Sequence, residues 1–219
     1  ITTSEVVRAL ELAKASQVSS DHYLVSAVPL GFDLDESGEW VQNPIRMSAN
    51  SMTGHYQLMQ LPISTMQNLD RAMKGANIGV EKMVISTLAT SEACLLKDEK
   101  EYGVCLIDIG AGTTNVAMYI EGRLALTHTL QRGGEHVTRD IAAVLQTTTE
   151  EAERIKLLYG CVDQKVVKPD HMIQIQGIDG PQTISRIELT DIIIARYEEI
   201  FGQIRQKKKK TGALQGLYH

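Results

Sequence analysis

The feature that most constrains this chain is a run of small residues set between two strands. Tyr102 to Asp108 (YGVCLID) is apolar on both faces, as a central strand requires. Gly110–Ala111–Gly112 makes a tight turn, and Thr113 to Tyr119 (TTNVAMY) returns as a second strand. Glu121–Gly122 turns the chain again into Arg123 to Leu130, so three strands run as a meander. A carboxylate at the end of a buried strand cannot pack as a hydrophobe, so Asp108 needs a cation or hydrogen-bond donors. Small residues at 110, 111 and 112 let backbone N–H groups close around a phosphate, and Thr113 and Thr114 add hydroxyl donors. Asp108 is then positioned to hold the waters of a phosphate-bound Mg²⁺. The competing reading is a hairpin whose glycines serve only the turn. No Gly-Lys-Ser/Thr follows, which excludes a Walker loop, and a strand instead of a helix follows the glycines, which disfavours a dinucleotide fold.

A second constellation lies downstream. In Ala152-Glu153-Arg154-Ile155-Lys156, Glu153 and Lys156 are three apart and share a helix face. A carboxylate can accept from ribose hydroxyls, and a lysine stem can lie along a purine ring. Taken alone, the pair reads equally as a surface ion pair contributing about 0.3–0.5 kcal/mol.

Around these segments the expected elements are α/β. A helix opens at Thr2 with Glu5 in capping-box spacing, carrying Val6, Val7, Leu10 and Ala13 on one face. His22 to Val28 is a strand with Pro29 as its stop, and Phe32 to Leu34 pairs beside it. His55 to Leu61 is the next strand, and Pro62 and Ser64 introduce a helix with Met66, Leu69 and Met73 at helical spacing. Val80 to Ser86 reads as a short buried strand and Leu88 to Leu96 as a helix. Gly133–Gly134 open a helix with Val137, Ile141, Val144 and Leu145 on its inner side. Thr148 and Glu151 cap another that ends at Gly160. A hairpin surrounds Gly177–Gly180, and a last helix from Thr190 stripes Ile193, Tyr197, Ile200 and Ile204.

With 219 residues, 43% hydrophobic and 22% charged, the chain can build a substantial core. Its net charge of −5 gives no general pull toward nucleic acid or anionic lipid. The run Lys207 to Lys210 reads as a solvated helix end complementing the dipole. Cys94, Cys105 and Cys161 form no CxxC pair; Cys94 and Cys105 are expected to be buried thiols in a reducing compartment. The histidines show no metal-ligand spacing, and the methionines at 47, 52, 59, 66 and 73 suit irregular packing. No stretch approaches the roughly 18–20 apolar residues that cross a bilayer. No nucleophile–base pair stands out, so catalytic residues are not assigned. Both ends read as cuts in a longer protein.

Together the two stretches resemble a known superfamily. The DIGAGTTN turn resembles the second phosphate loop of the actin, Hsp70 and sugar-kinase proteins. The AERIK helix resembles the adenosine-side helix of Hsp70 and of the bacterial actins, and Gly133–Gly134 the glycine pair opening the helix between. Within it the chain is most similar to the FtsA family of bacterial division proteins. The carriers are ITTSEVVRALELAKAS, the Asn43–Pro44 turn, PISTMQNLDRAMKGANI, ERIKLLYGC and ARY at Ala195–Tyr197. The departures are Ala111, where glycine is common, and Asn115, where aspartate is common.

The resemblance implies an actin-like ATPase (ribonuclease H-like) fold with the FtsA-type inserted subdomain at 1–78, a remnant of the first actin-like domain at 79–100 and the second at 101–219. It implies ATP and Mg²⁺ as cofactors and at most a weak ATPase. Asp108, Gly110, Ala111, Gly112, Thr113, Thr114 and Gly134 would lie at the phosphate side, and Glu153 and Lys156 at the nucleoside. Implied partners are the FtsZ tail, near Arg196 and Glu199, other division proteins, further copies of the chain, and the membrane through a helix outside this chain. The implied location is the cytoplasmic face of the cell membrane at the division site. A sugar-kinase-type phosphotransferase and a pilus-assembly actin homologue are the alternatives.

Overall fold

The computed structural model describes residues 1–38 and 40–210, the last three of these as backbone alone. It resolves into two compact units, Ile1–Tyr102 with Glu121–Ala125, and Gly103–Ile120 with Leu126 onward.

The first unit is built on a three-stranded antiparallel sheet of His22–Leu34 (β1), Trp40–Val41 (β2) and Met52–Pro62 (β3), in the order β2-β1-β3. Helices Thr3–Gln17 (α1) and Ile63–Gly75 (α2) pack on it. Pro29 does not stop the strand as expected. β1 runs through it, because the register shifts at Leu24/Ser26 and Pro29/Gly31 absorb a residue that cannot donate to the ladder. The Thr2–Glu5 capping box forms as expected, with the Thr2 amide donating to Glu5 Oε2 at 2.7 Å. Burial is sparse. Phe32 and Met59 are inside, whereas neither α1 nor α2 contains a buried residue and Val7 and Leu69 are exposed.

Residues 80–85 form no strand, and Val80 and Val84 are exposed. An apolar run becomes a strand only where a neighbour accepts its ladder, and none does among the described residues. Helices Ser86–Cys94 (α3) and Lys97–Tyr102 (α4) follow.

The second unit begins with Val104–Ile109 (β4), Thr114–Ile120 (β5) and, from Leu126 on, Arg123–Leu130 (β6), a meander in the order β4-β5-β6. Asp108 pairs directly across from Asn115, and Ile109 from Thr114. β5 is therefore the central strand and β4 an edge among the described residues, the reverse of the expectation for YGVCLID. Cys105 on that edge and Cys94 on α3 are exposed, contrary to the buried reading. The β5–β6 turn has positive φ at both Glu121 (51°) and Gly122 (73°), the backbone of a two-residue hairpin turn whose twist matches the strands.

Beyond the sheet come Gly134–Val144 (α5), Thr149–Tyr159 (α6), the hairpin Met172–Gly177 (β7) and Gly180–Ser185 (β8), and the long helix Arg186–Lys210 (α7). α7 starts before Thr190 because Ser185 Oγ accepts the Ile187 amide, giving the first turn a side-chain partner. Two clusters hold the unit. Val137, Ile141, Leu145, Ile155, Ile173, Ile184, Leu189 and Ile193 join α5, α6, the hairpin and α7. Val116, Met118, Leu130, Ile200 and Ile204 join the sheet to α7. Val144, expected inside, is exposed, being one residue off the Val137–Ile141–Leu145 stripe. The tail 211–219 lies outside the described residues, as do the side chains of Lys208–Lys210; the backbone of the lysine run is helical and Lys207 is exposed.

Candidate functional site

Small residues at the β4–β5 turn let two backbone segments meet. The Gly110 amide donates to the Thr113 carbonyl at 2.8 Å, closing the turn. The carbonyls of Gly110 and Ala111 then accept the amides of Gly134 (2.9 Å) and Glu135 (2.8 Å), the first residues of α5. A Cβ at Gly133 would stand 2.4 Å from the Gly110 oxygen and 2.5 Å from that of Ala111, so only glycine permits this approach. His136 completes the cap, its Nδ1 accepting the Gly133 amide at 3.2 Å. The first two donors of α5 are thus spent on the turn, and an anion at this end would be met by the turn's own amides. Those of Ala111 and Gly112 engage no acceptor among the described residues, and a Cβ at Gly112 would meet nothing within 4 Å.

Behind the turn opens a cavity of about 860 Å³, lined by Gly110 and Ala111, by Gly134, Glu135, Thr138 and Arg139 of α5, and by Thr149, Glu150, Glu153 and Lys156 of α6. Its size suits a nucleotide-scale ligand. Five residues singled out in the sequence, Gly110, Ala111, Gly134, Glu153 and Lys156, therefore share one cavity within one unit. Gly134 is the joint. Its amide bonds the turn, and its carbonyl accepts Lys156 Nζ at 3.2 Å.

The Glu153–Lys156 pair is more than a surface pair. Lys156 Nζ lies 2.6 Å from Glu153 Oε2 and 2.8 Å from Thr138 Oγ1, so its three donors are all taken. Thr138 Oγ1 in turn lies 2.5 Å from Glu153 Oε2 and 3.1 Å from the Gly134 carbonyl. The hydrogen bonds from Lys156 and Thr138 hold the Glu153 carboxyl below its ordinary pKa. The second Glu153 oxygen and the lysine stem remain to meet a ligand, a hydroxyl acceptor beside an apolar strip.

Asp108, Gly112, Thr113 and Thr114 do not line this cavity. Thr114 is fully buried and its hydroxyl donates to the Arg132 carbonyl at 2.8 Å, so that proton holds the β6–α5 link instead of facing a phosphate. Asp108 is half-buried on β4 opposite Asn115, whose Oδ1 accepts from Thr129 at 2.9 Å. No group of three His, Cys, Asp or Glu side chains gathers among the described residues. One carboxylate suits a cation that keeps its water shell, the Mg²⁺ habit, and not a protein-built cage.

Thr138, Arg139, Glu135, Thr149 and Glu150 were not foreseen. The signal was present for the first three, since 134/138 and 135/139 repeat at i, i+4 on one face of α5. Thr149 and Glu150 carry no such mark; the packing of α6 against α5 puts them there.

A second groove, of about 480 Å³, lies between α5 and α7 and includes Asp140, Val144, Asp191, Arg196 and Glu199. Arg196 forks onto Asp140 at 2.6 and 2.7 Å and also bonds Glu199, which raises its pKa further.

The sequence model of the family described as cell division protein FtsA matches residues 105–218. FtsA of Pseudomonas aeruginosa is 28% identical over 214 residues, covering 97% of this chain and 51% of that protein. FtsA of Agrobacterium fabrum is 32% identical over 218 residues, covering 97% and 49%. The chain thus spans about half the length of the curated relatives it matches. Among solved structures, a PilM–PilN type IV pilus biogenesis complex superposes with a TM-score of 0.62 over 95% of this chain and 52% of that one, at 16% identity. MreB5 of Spiroplasma citri bound to ADP does so with 0.51 over 66% and 46%, at 20% identity. The fold is that of the actin-like ATPases, and with more than half of its residues matched by the family's own sequence model, this chain belongs to the FtsA family of cell division proteins.

Proposed function

We propose that this chain is the nucleotide-binding part of an actin-like scaffold of bacterial cell division. The observation that carries the reading is the shared cavity: the Gly110–Ala111 turn and the Glu153–Lys156 pair line one space and are tied together through Gly134. ATP would lie with its phosphates against the 110–113 turn, met there by the amides of Ala111 and Gly112, and its ribose and base against Glu153 and the Lys156 stem. Mg²⁺ would be held through water by Asp108 and would neutralise phosphate charge. Glu153 orients a hydroxyl, while its ion pair with Lys156 at 2.6 Å holds the lysine stem along the cavity wall. Closure around nucleotide then biases assembly contacts.

We read residues 1–78 as the family's inserted subdomain, 79–100 as a remnant of the first actin-like domain and 101–219 as the second. The reading extends to self-association, to other division proteins and to the FtsZ tail near Arg196 and Glu199. By the family resemblance, attachment to the inner face of the membrane would run through a helix outside this chain. The test is ATP binding by the full-length protein against its Asp108→Ala and Lys156→Ala variants, with nucleotide-dependent pelleting and FtsZ-tail binding alongside. Each substitution should weaken ATP; unchanged affinity in both defeats the site.

A further inference from the structure

Thr138 is buried, and its hydroxyl touches three partners from two helices: the Gly134 carbonyl, Glu153 Oε2 and Lys156 Nζ. A threonine inside a helix often bonds the carbonyl four residues back and does nothing more. Here that carbonyl belongs to Gly134, whose amide holds the phosphate-side turn, and the Thr138 hydroxyl also sits between both members of the α6 pair. Both members are long charged side chains, which on an open helix surface would sample many rotamers. One buried hydroxyl removes that freedom.

We propose that Thr138 is the positioning residue of the cavity: its hydroxyl clamps Glu153 and Lys156 against Gly134, so that one carboxylate oxygen of Glu153 is presented at a fixed distance from the Gly110–Ala111 turn and a sugar hydroxyl is selected there. The clamp spans α5 and α6 and ties the nucleoside side to the phosphate side through a single residue. This rests on the nucleotide reading above. Removing the hydroxyl therefore loosens recognition of the nucleoside while leaving recognition of the phosphate chain intact.

The experiment compares Thr138→Val, Thr138→Ala and Thr138→Ser in the full-length protein, with helical content checked by circular dichroism. ATP and inorganic tripolyphosphate are the two probes. Val and Ala should weaken ATP about tenfold and leave tripolyphosphate unchanged, and Ser, which keeps the hydroxyl, should restore ATP binding. Independently of any ligand, the Glu153 carboxyl followed by NMR should titrate higher in Val and Ala than in wild type and Ser. The other charged groups on the cavity wall, Glu135 and Arg139 of α5 and Glu150 and Lys156 of α6, stay in place in every variant. An unmoved Glu153 titration, or equal loss of ATP and tripolyphosphate, overturns the clamp. A moved titration in a protein whose wild type binds no ATP supports the clamp and overturns the nucleotide reading instead.

Discussion

Helix α5 carries a charge cluster on each of two faces, and the two are built in opposite ways. On one face Glu153 and Lys156, three residues apart on α6, lean onto Thr138 and Gly134. On the other, Arg196 of α7 reaches across 56 positions of sequence to fork onto Asp140. The first pair is local and half-open, with Glu153 44% exposed. The second is long-range and more enclosed, with Arg196 20% and Asp140 29% exposed. The Glu153–Lys156 bond is itself an i, i+3 contact within one helix and adds little to stability, and only its attachment to Thr138 and Gly134 depends on α6 docking on α5. A long-range fork forms only when α5 and α7 are docked, so it reports and reinforces the tertiary fold.

The largest effect should come from the close approach of the Gly110–Ala111 turn to Gly133, beside the first face. Gly133→Ala puts a methyl group against two carbonyl oxygens and must separate the turn from α5. A loss of about 3 kcal/mol is expected by urea unfolding, with ATP binding lost alongside. If Gly133→Ala is neutral, the docking of turn on helix is not what shapes the cavity.

Next comes Arg196→Ala, which leaves the half-buried Asp140 without its guanidinium; about 2 kcal/mol of stability should go, with ATP affinity changed less than twofold in the same measurement series. Arg196→Lys should recover only part, because an ammonium cannot fork. Equal losses of stability and ATP binding would erase the distinction between the faces.

Lys156→Ala should do the reverse, weakening ATP about tenfold in calorimetry while lowering stability by about 0.5 kcal/mol.

The smallest effect is in pH. Glu153 is held below its ordinary value, so its ion pair stabilises fully above the unfolded carboxylate range, near about 4.3, and the contribution fades as pH falls through the lower folded value. Arg196, shifted upward from an already high value, keeps its proton throughout. Stability of wild type minus Glu153→Gln should therefore shrink from pH 7 to pH 3. A pH-independent Glu153 difference would mean the pair is not formed in solution.

Much of the fold was legible because its signals are local. Capping at Thr2 and Thr148, the Glu121–Gly122 turn, and the stripes of α5 and α7 depend on residues within a few positions of one another. The misreadings share a cause. Val80 to Ser86, Cys94, Cys105 and the edge position of β4 were judged from apolarity, and apolarity states what a segment would bury without saying what is there to cover it. Pro29 was read as a stop because a bulge is a relation between two strands and has no one-strand signature. In the cavity, the turn and the AERIK pair stood out by composition and spacing; Thr138 did not, since a threonine in a helix becomes a hub only when a second helix supplies its partners.

By itself, then, the chain's order of residues determined which backbone could bend at 110–112 and which charges would sit on one helix face, because those follow from sterics and the helical repeat over a few bonds. Only the tertiary structure decided that Gly134 joins the turn to Lys156, that Thr138 clamps the pair and that Asp140 meets Arg196. Those contacts exist because burial of the α5–α6–α7 core brings distant segments within hydrogen-bond reach, and short-range geometry carries no record of that distance.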